Sequence, residues 1–167
     1  MQVKTTDFYS FDVLNNIMEG LTRVDLDGKV VEGMATKMGK QVKIKKTWTF
    51  TINDKVYWSN GDKVTAHDFE YAWKRTLNPE TGSQYGFIFY DLVGAEDYSL
   101  GKCSADDVGV KALDDNTLQV TLVRPVNYFD RLVGFRYSSH KIKNLLKKKG
   151  INMELLKTIY YLMDHLN

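Results

Sequence analysis

Cysteine is almost absent. Cys103 stands alone among 167 residues, which excludes a disulfide within the chain and any zinc site built on several cysteines. The three histidines, His67, His140 and His165, are far apart and outside any His-Glu-x-x-His spacing, so no metal site is expected. No run approaches the roughly 18 consecutive apolar residues that a membrane-spanning helix needs. The opening Met1-Gln2-Val3-Lys4 also lacks the apolar core of a signal peptide, so the sequence does not support export. Gly33, Gly39, Gly82 and Gly86 do not fall into Gly-x-Gly-x-x-Gly or Gly-x-x-x-x-Gly-Lys, which removes the common phosphate loops. The two prolines, Pro79 and Pro125, read as element boundaries.

What is present is the composition of a folded chain, 43% hydrophobic and 26% charged, too apolar for disorder. Charge is divided unevenly. Residues 136–167 hold seven Lys and Arg against two Asp and Glu, which leaves the first 135 residues at a net −3. Aromatics lie mostly on the acidic side: after Phe135 only Tyr137, Tyr160 and Tyr161 remain.

Periodicity outlines the elements. Phe11, Leu14, Ile17, Met18 and Leu21 have helical spacing, predicting a helix over 10–21, and Asp25 to Lys29 predicts a turn before Val30-Val31. Lys37 to Lys46 is basic and has no period. In Thr47 to Ile52, Trp48, Phe50 and Ile52 alternate with threonines, as in a half-buried strand, and Val56-Tyr57-Trp58 is a candidate partner for it. Thr65 and Asp68 have capping-box spacing ahead of a helix to about Leu77, with Phe69, Ala72, Trp73 and Thr76 as its buried stripe. Tyr85 to Tyr98 is aromatic-rich and expected to be mostly helical. Val108–Leu113 and Thr117–Leu122 read as a hairpin, and Tyr128 to Val133 as a short helix. Strands with hairpins followed by helices give an α+β class for 47–123.

Candidate chemistry is sparse. Asp106-Asp107 and Asp114-Asp115 flank strands and read as turn formers rather than an acid/base pair, and Cys103 has no identifiable base partner. Nothing argues for an enzyme. The stripe Tyr85, Phe87, Phe89, Tyr90 and Tyr98 fits either a core or a binding groove.

Four stretches carry a family resemblance: Val13 to Arg23 (VLNNIMEGLTR), Trp58 to Arg75 (WSNGDKVTAHDFEYAWKR), Leu77 to Thr81 (LNPET) and Val108 to Leu122 (VGVKALDDNTLQVTL). Over residues 5–135 the chain resembles the bacterial oligopeptide-binding proteins, the substrate-binding components of peptide ABC importers. The resemblance implies a fragment of a two-lobe α/β fold that closes over an extended peptide, with residues 1–35 as the start of the first lobe and 36–135 as a small α+β subdomain. It also implies oligopeptides and membrane permease subunits as partners, no cofactor, no nucleic acid, and an extracytoplasmic, lipid-anchored setting for the family. By position it assigns peptide contacts to Thr6, Asp7, Phe8 and Tyr85.

Three departures from the family shape the expectations. The leader and lipid-anchoring cysteine are not seen, and the lobe carrying the acidic residue that holds the peptide's amino terminus is missing. With one face of the clamp present, weak binding or none is expected. After Gly134-Phe135 the family pattern stops, yet codons for Tyr137-Ser-Ser-His can be chosen so that the neighbouring frame gives the family-like Phe-Phe-Pro. Residues from about Arg136 are therefore expected to be out of frame, their Lys content reflecting A-rich codons. The alternative is a stand-alone interaction module whose cationic tail binds nucleic acid or anionic membrane.

Overall fold

A computed structural model describes Tyr9, residues 18–41 and residues 46–134. Its centre is a four-stranded antiparallel sheet of β3 (Ala35–Gln41), β4 (Thr47–Ile52), β5 (Val110–Ala112) and β6 (Thr117–Thr121), in the order β3-β4-β6-β5. Strand β4 alternates as its sequence predicts: Trp48, Phe50 and Ile52 are buried, while the threonines between them are half-buried or exposed. The register sets Trp48 opposite Val120 and Phe50 opposite Leu118, and Val110 and Ala112 oppose the same two β6 residues from the other side. Residues paired across strands share a face, so these apolar side chains form one continuous inner surface and the Thr47, Thr49, Thr51 and Gln119 row forms the outer one.

Helix α1 (Ala66–Leu77) covers the β5–β6 end of that surface. Its start is fixed by the capping pair: the Thr65 amide donates to Asp68 Oδ2 at 3.0 Å, and the Ala66 amide reaches the Asp115 carbonyl at 2.7 Å, tying the helix to the β5–β6 turn. Its end is set by Asn78, held extended (ψ 123°) ahead of Pro79. The buried stripe is Ala66, Phe69, Ala72, Trp73, Thr76 and Leu77. Trp73 packs on Phe89 with ring centroids 5.0 Å apart. Each such fully buried large side chain contributes about 1.5–3 kcal/mol of transfer free energy.

The β4 end is covered by α3 (Phe129–Leu132), whose Phe129 lies 5.6 Å from Trp48 and 6.4 Å from Phe50, ring centre to ring centre. A separate hairpin, β1 (Thr22–Val24) with β2 (Val30–Glu32), packs beside α3. Between α1 and β5 the chain makes 3-10 turns at Pro79–Thr81, Gly86–Phe89 and Ala105–Asp107 and the short helix α2 (Ala95–Ser99). Gly94 is required here: its φ is +67°, and a Cβ there would sit 2.5 Å from the Asp107 carbonyl oxygen.

The structure corrects four expectations. Val56-Tyr57-Trp58 does not pair with β4. It bridges to Lys63 through Tyr57 in a local turn, because β3 and β6 occupy both sides of β4. The basic stretch without a period takes up the later part of β3, whose register against β4 shifts between Ala35 and Lys37 and again between Lys37 and Lys40; such bulges destroy the two-residue repeat. Tyr85 to Tyr98 is only partly helical, with Leu92, between Gly86–Phe89 and α2, bridged to Leu122 just beyond β6. Met18 to Leu21 is not helical, and the Gly20 carbonyl accepts from the Met34 amide; the rest of the helix expected over 10–21 lies outside the described residues.

Candidate functional site

Of the four residues that the family resemblance singles out, Thr6, Asp7 and Phe8 lie outside the described residues, and Tyr85 is described. Tyr85 precedes the 3-10 turn Gly86–Phe89, whose first bond runs from the Ile88 amide to the Tyr85 carbonyl at 3.2 Å. Upstream, Asn78 accepts from the Glu80 amide at 2.9 Å and Gly82 takes φ +61°, so the chain leaves α1 and folds back under it. This presents Tyr85 and Phe87 side by side, ring centroids 5.8 Å apart and planes inclined by 30°.

Tyr85, Phe87, Ile88, Tyr128 and Leu132, with Arg131 at the side, line an open groove of about 370 Å³ whose walls are almost wholly apolar. Phe87 and Tyr128 remain 58% and 50% exposed, large values for aromatic rings, and they mark the groove as a surface able to receive an apolar group. The polar atoms around it are engaged. Tyr128 donates its hydroxyl to Asp91 Oδ2 at 3.1 Å, Asp91 Oδ1 accepts from Arg124 Nε at 3.1 Å, and Arg131 Nη2 donates to the Gly28 carbonyl at 2.9 Å. A second cavity of about 570 Å³ shares Phe87 and is also lined by Asp91, Glu96, Asp97 and Arg124. A surface of this kind can hold an extended chain by apolar contact, with an acidic flank beyond Phe87.

The aromatic stripe divides between the two alternatives left by its spacing. Phe89 is 1% exposed and belongs to the core, Phe87 belongs to the groove, and Tyr85, Tyr90 and Tyr98 pack partly against the core. Tyr128, Leu132 and Ile88 complete the groove without having been singled out. The only signal for the first two was the short helix after Pro125, and nothing in it pointed toward Tyr85.

The turn reading of the acidic pairs holds. Asp107 accepts from the Ser104 amide and hydroxyl at 2.9 Å each, and these bonds hold its carboxyl below the usual range; Asp114 accepts from the Asn116 amide at 2.8 Å, with the same effect. Cys103 donates weakly to the Gly94 carbonyl at 3.5 Å, and burial followed by the nearby Asp107 and Asp97 carboxylates pushes its thiol up, away from nucleophilic chemistry. His67 stands in the first turn of α1, half-exposed, 3.7 Å from Asp115. Among the described residues no three His, Cys, Asp or Glu side chains gather as metal ligands, and no helix is long and apolar enough to cross a membrane.

The mixed helix-and-sheet architecture is that of one part of a two-lobe periplasmic-binding-protein fold. It superposes on Listeria monocytogenes OppA bound to peptide with a TM-score of 0.86 at 33% identity, covering 89% of this chain and 29% of that one. The substrate-binding domain of an oligopeptide ABC transporter from Bacillus anthracis gives 0.86 at 38% identity, covering 90% and 29%. Residues 29–159 match the family described as bacterial extracellular solute-binding proteins, family 5, and the chain belongs to that family. It is 52% identical over 144 residues to the oligopeptide-binding protein OppA of Bacillus subtilis, 86% of this chain and 26% of OppA. It is also 52% identical over 120 residues to the dipeptide-binding protein DppE of the same organism, 72% of this chain and 22% of DppE. The chain thus spans about a quarter of the length of the curated relatives it matches.

Proposed function

We propose that this chain carries one wall of a peptide-binding site, and that in a full-length protein it serves the capture of oligopeptides for an ABC importer. The observation that carries the reading is the exposed apolar groove at Tyr85, in a family whose matched relatives are named for binding oligopeptides and dipeptides. Tyr85 and Phe87 flank the peptide. Thr6, Asp7 and Phe8 supply a further strip of contact along it. The membrane permease subunits of the importer are the partner of the whole protein, and its setting is extracytoplasmic. No catalytic step or cofactor enters this role.

The division of the chain belongs to the same reading: residues 1–35 open the first lobe, 36–135 form the small subdomain, and the stretch from about Arg136 is translated out of frame. The family match runs on to residue 159, so resequencing the gene region decides between a shifted frame and a divergent segment in frame. The nucleic-acid alternative draws no support from the relatives, which are named for peptides, deoxycholate or murein peptides.

Affinity in such a clamp comes from enclosing the ligand, and one wall leaves the peptide half solvated. Calorimetric titration with a pool of short peptides is therefore expected to give saturable heat with a Kd of roughly 0.1–1 mM, about −4 to −5.5 kcal/mol. Tyr85→Ala is expected to abolish that heat while moving the melting temperature little. Peptide heat that Tyr85→Ala leaves unchanged overturns the proposal.

A further inference from the structure

Among the described residues the sheet order leaves β5 as an outer strand. Its neighbour β6 takes the Gly109 carbonyl through the Thr121 amide at 2.7 Å, and the Leu113 amide reaches the Thr117 carbonyl at 2.9 Å. Backbone groups alternate in direction along an antiparallel strand, so the amides of Val110 and Ala112 point away from the sheet. Two outward amides on a short strand are the groups that another strand would pair with.

Both are occupied. The Val110 amide turns back to the Val108 carbonyl at 2.7 Å. The Ala112 amide donates to Glu70 Oε2 at 2.9 Å, from a side chain 42 residues earlier on α1. The other oxygen of the same carboxylate, Oε1, accepts from Lys74 Nζ at 2.7 Å, and Lys74 also approaches Asp106 at 3.7 Å. Glu70 and Lys74 are only 21% and 17% exposed, so this pair is held in place by its surroundings, unlike a loose surface ion pair. The helix thereby carries a carboxylate to the point where an incoming strand would have to make its first hydrogen bond.

We propose that Glu70 is a lock on the outer edge of the sheet formed by the described residues, keeping β5 of one copy of this chain from pairing antiparallel with β5 of a second copy. Lys74 is the positioning residue of that lock. The lock acts on self-association and is independent of peptide capture at the Tyr85 groove.

Hydrogen exchange of the full 167-residue chain, read residue by residue at two concentrations, tests this. In the parent protein the Ala112 amide is expected to be protected, and sedimentation to be independent of any β5 contact. In Glu70→Ala the Ala112 amide is expected to exchange at least tenfold faster in dilute solution, with the Lys111 and Val120 amides of the ladder unchanged, which also establishes that the variant is folded. At high concentration the variant is expected to form a dimer in which Ala112 regains protection. Glu70→Gln keeps a side-chain oxygen for the Ala112 amide and is expected to stay within about threefold of the parent. Unchanged exchange at Ala112 in Glu70→Ala, or fast exchange with no recovery of protection on concentration, overturns the proposal.

Discussion

The sheet body and the β1–β2 hairpin solve the burial problem differently. In the body, β4 and β6 bury every second side chain against α1 and α3, and the large residues Trp73, Phe50, Phe69 and Phe89 are all under 2% exposed. In the hairpin only Leu21 and Thr22 are buried, at its entry, while Val24 is 50% exposed and Leu26 fully so. The body closes on itself by area. The hairpin is held at points: the Thr22 hydroxyl donates to the Asp130 carbonyl at 2.5 Å, and Arg131 reaches the Gly28 carbonyl. A unit held by area loses stability in proportion to what is removed, whereas one held by points detaches when a single bond is lost while the rest stays folded.

Trp73→Ala should produce the largest effect. Removing a fully buried indole that packs on Phe89 is expected to cost about 3–5 kcal/mol in denaturant unfolding, and Leu26→Ala in the hairpin to stay within about 0.5 kcal/mol. Equal losses from the two would erase the distinction between body and hairpin. A smaller effect, of about 1 kcal/mol, is expected from Thr22→Val, and it should be local. Hairpin amides should exchange faster and limited proteolysis should cut near Asp27, with the amides of β4 and β6 unaffected. A uniform loss of protection would mean that the hairpin belongs to the body after all.

Acid titration should have the smallest effect, and it should fall on the body. Burial raises the Glu70 pKa, but the Lys74 hydrogen bond, the Ala112 amide and the charges of Lys74 and His67 outweigh it, leaving the carboxyl below its ordinary value of 4.5. A carboxyl depressed in the folded state contributes stability that is present above the unfolded pKa and lost as pH falls through the folded one. The melting temperature should therefore fall as the pH is lowered from about 4.5, with Asp107 and Asp114 acting in the same direction. Glu70→Gln should flatten part of that fall.

Much of the body was legible in the sequence because its signals are local. The Thr65–Asp68 spacing, the alternation of β4 and the Asp114–Asn116 turn each lie within a few residues, and each appears as expected. What escaped is set by partners distant in the chain. The bulges of β3 erase its repeat, and the local bridge at Tyr57 replaces a pairing with β4 whose sides are already filled. Of the candidate groove, Tyr85 and Phe87 were visible in the aromatic stripe. Its other wall, Tyr128 and Leu132, joins only after the chain has passed through the whole sheet, and no pattern within 85–98 could announce it.

The strand order also has a consequence in time. The central ladder joins Thr47 to Thr121 and Thr51 to Thr117, so β4 waits for its partner while some 65 intervening residues are made. At ordinary translation rates of about 5–20 residues per second, that is several seconds during which Trp48 and Phe50 have no β6 to pair with. Helix α1, being local, forms first and presents Phe69 and Trp73 to an absent sheet. On a ribosome the body therefore closes late and in one step, once Thr121 has cleared the exit tunnel, and a nascent chain stopped before that point keeps its apolar face open to chaperones.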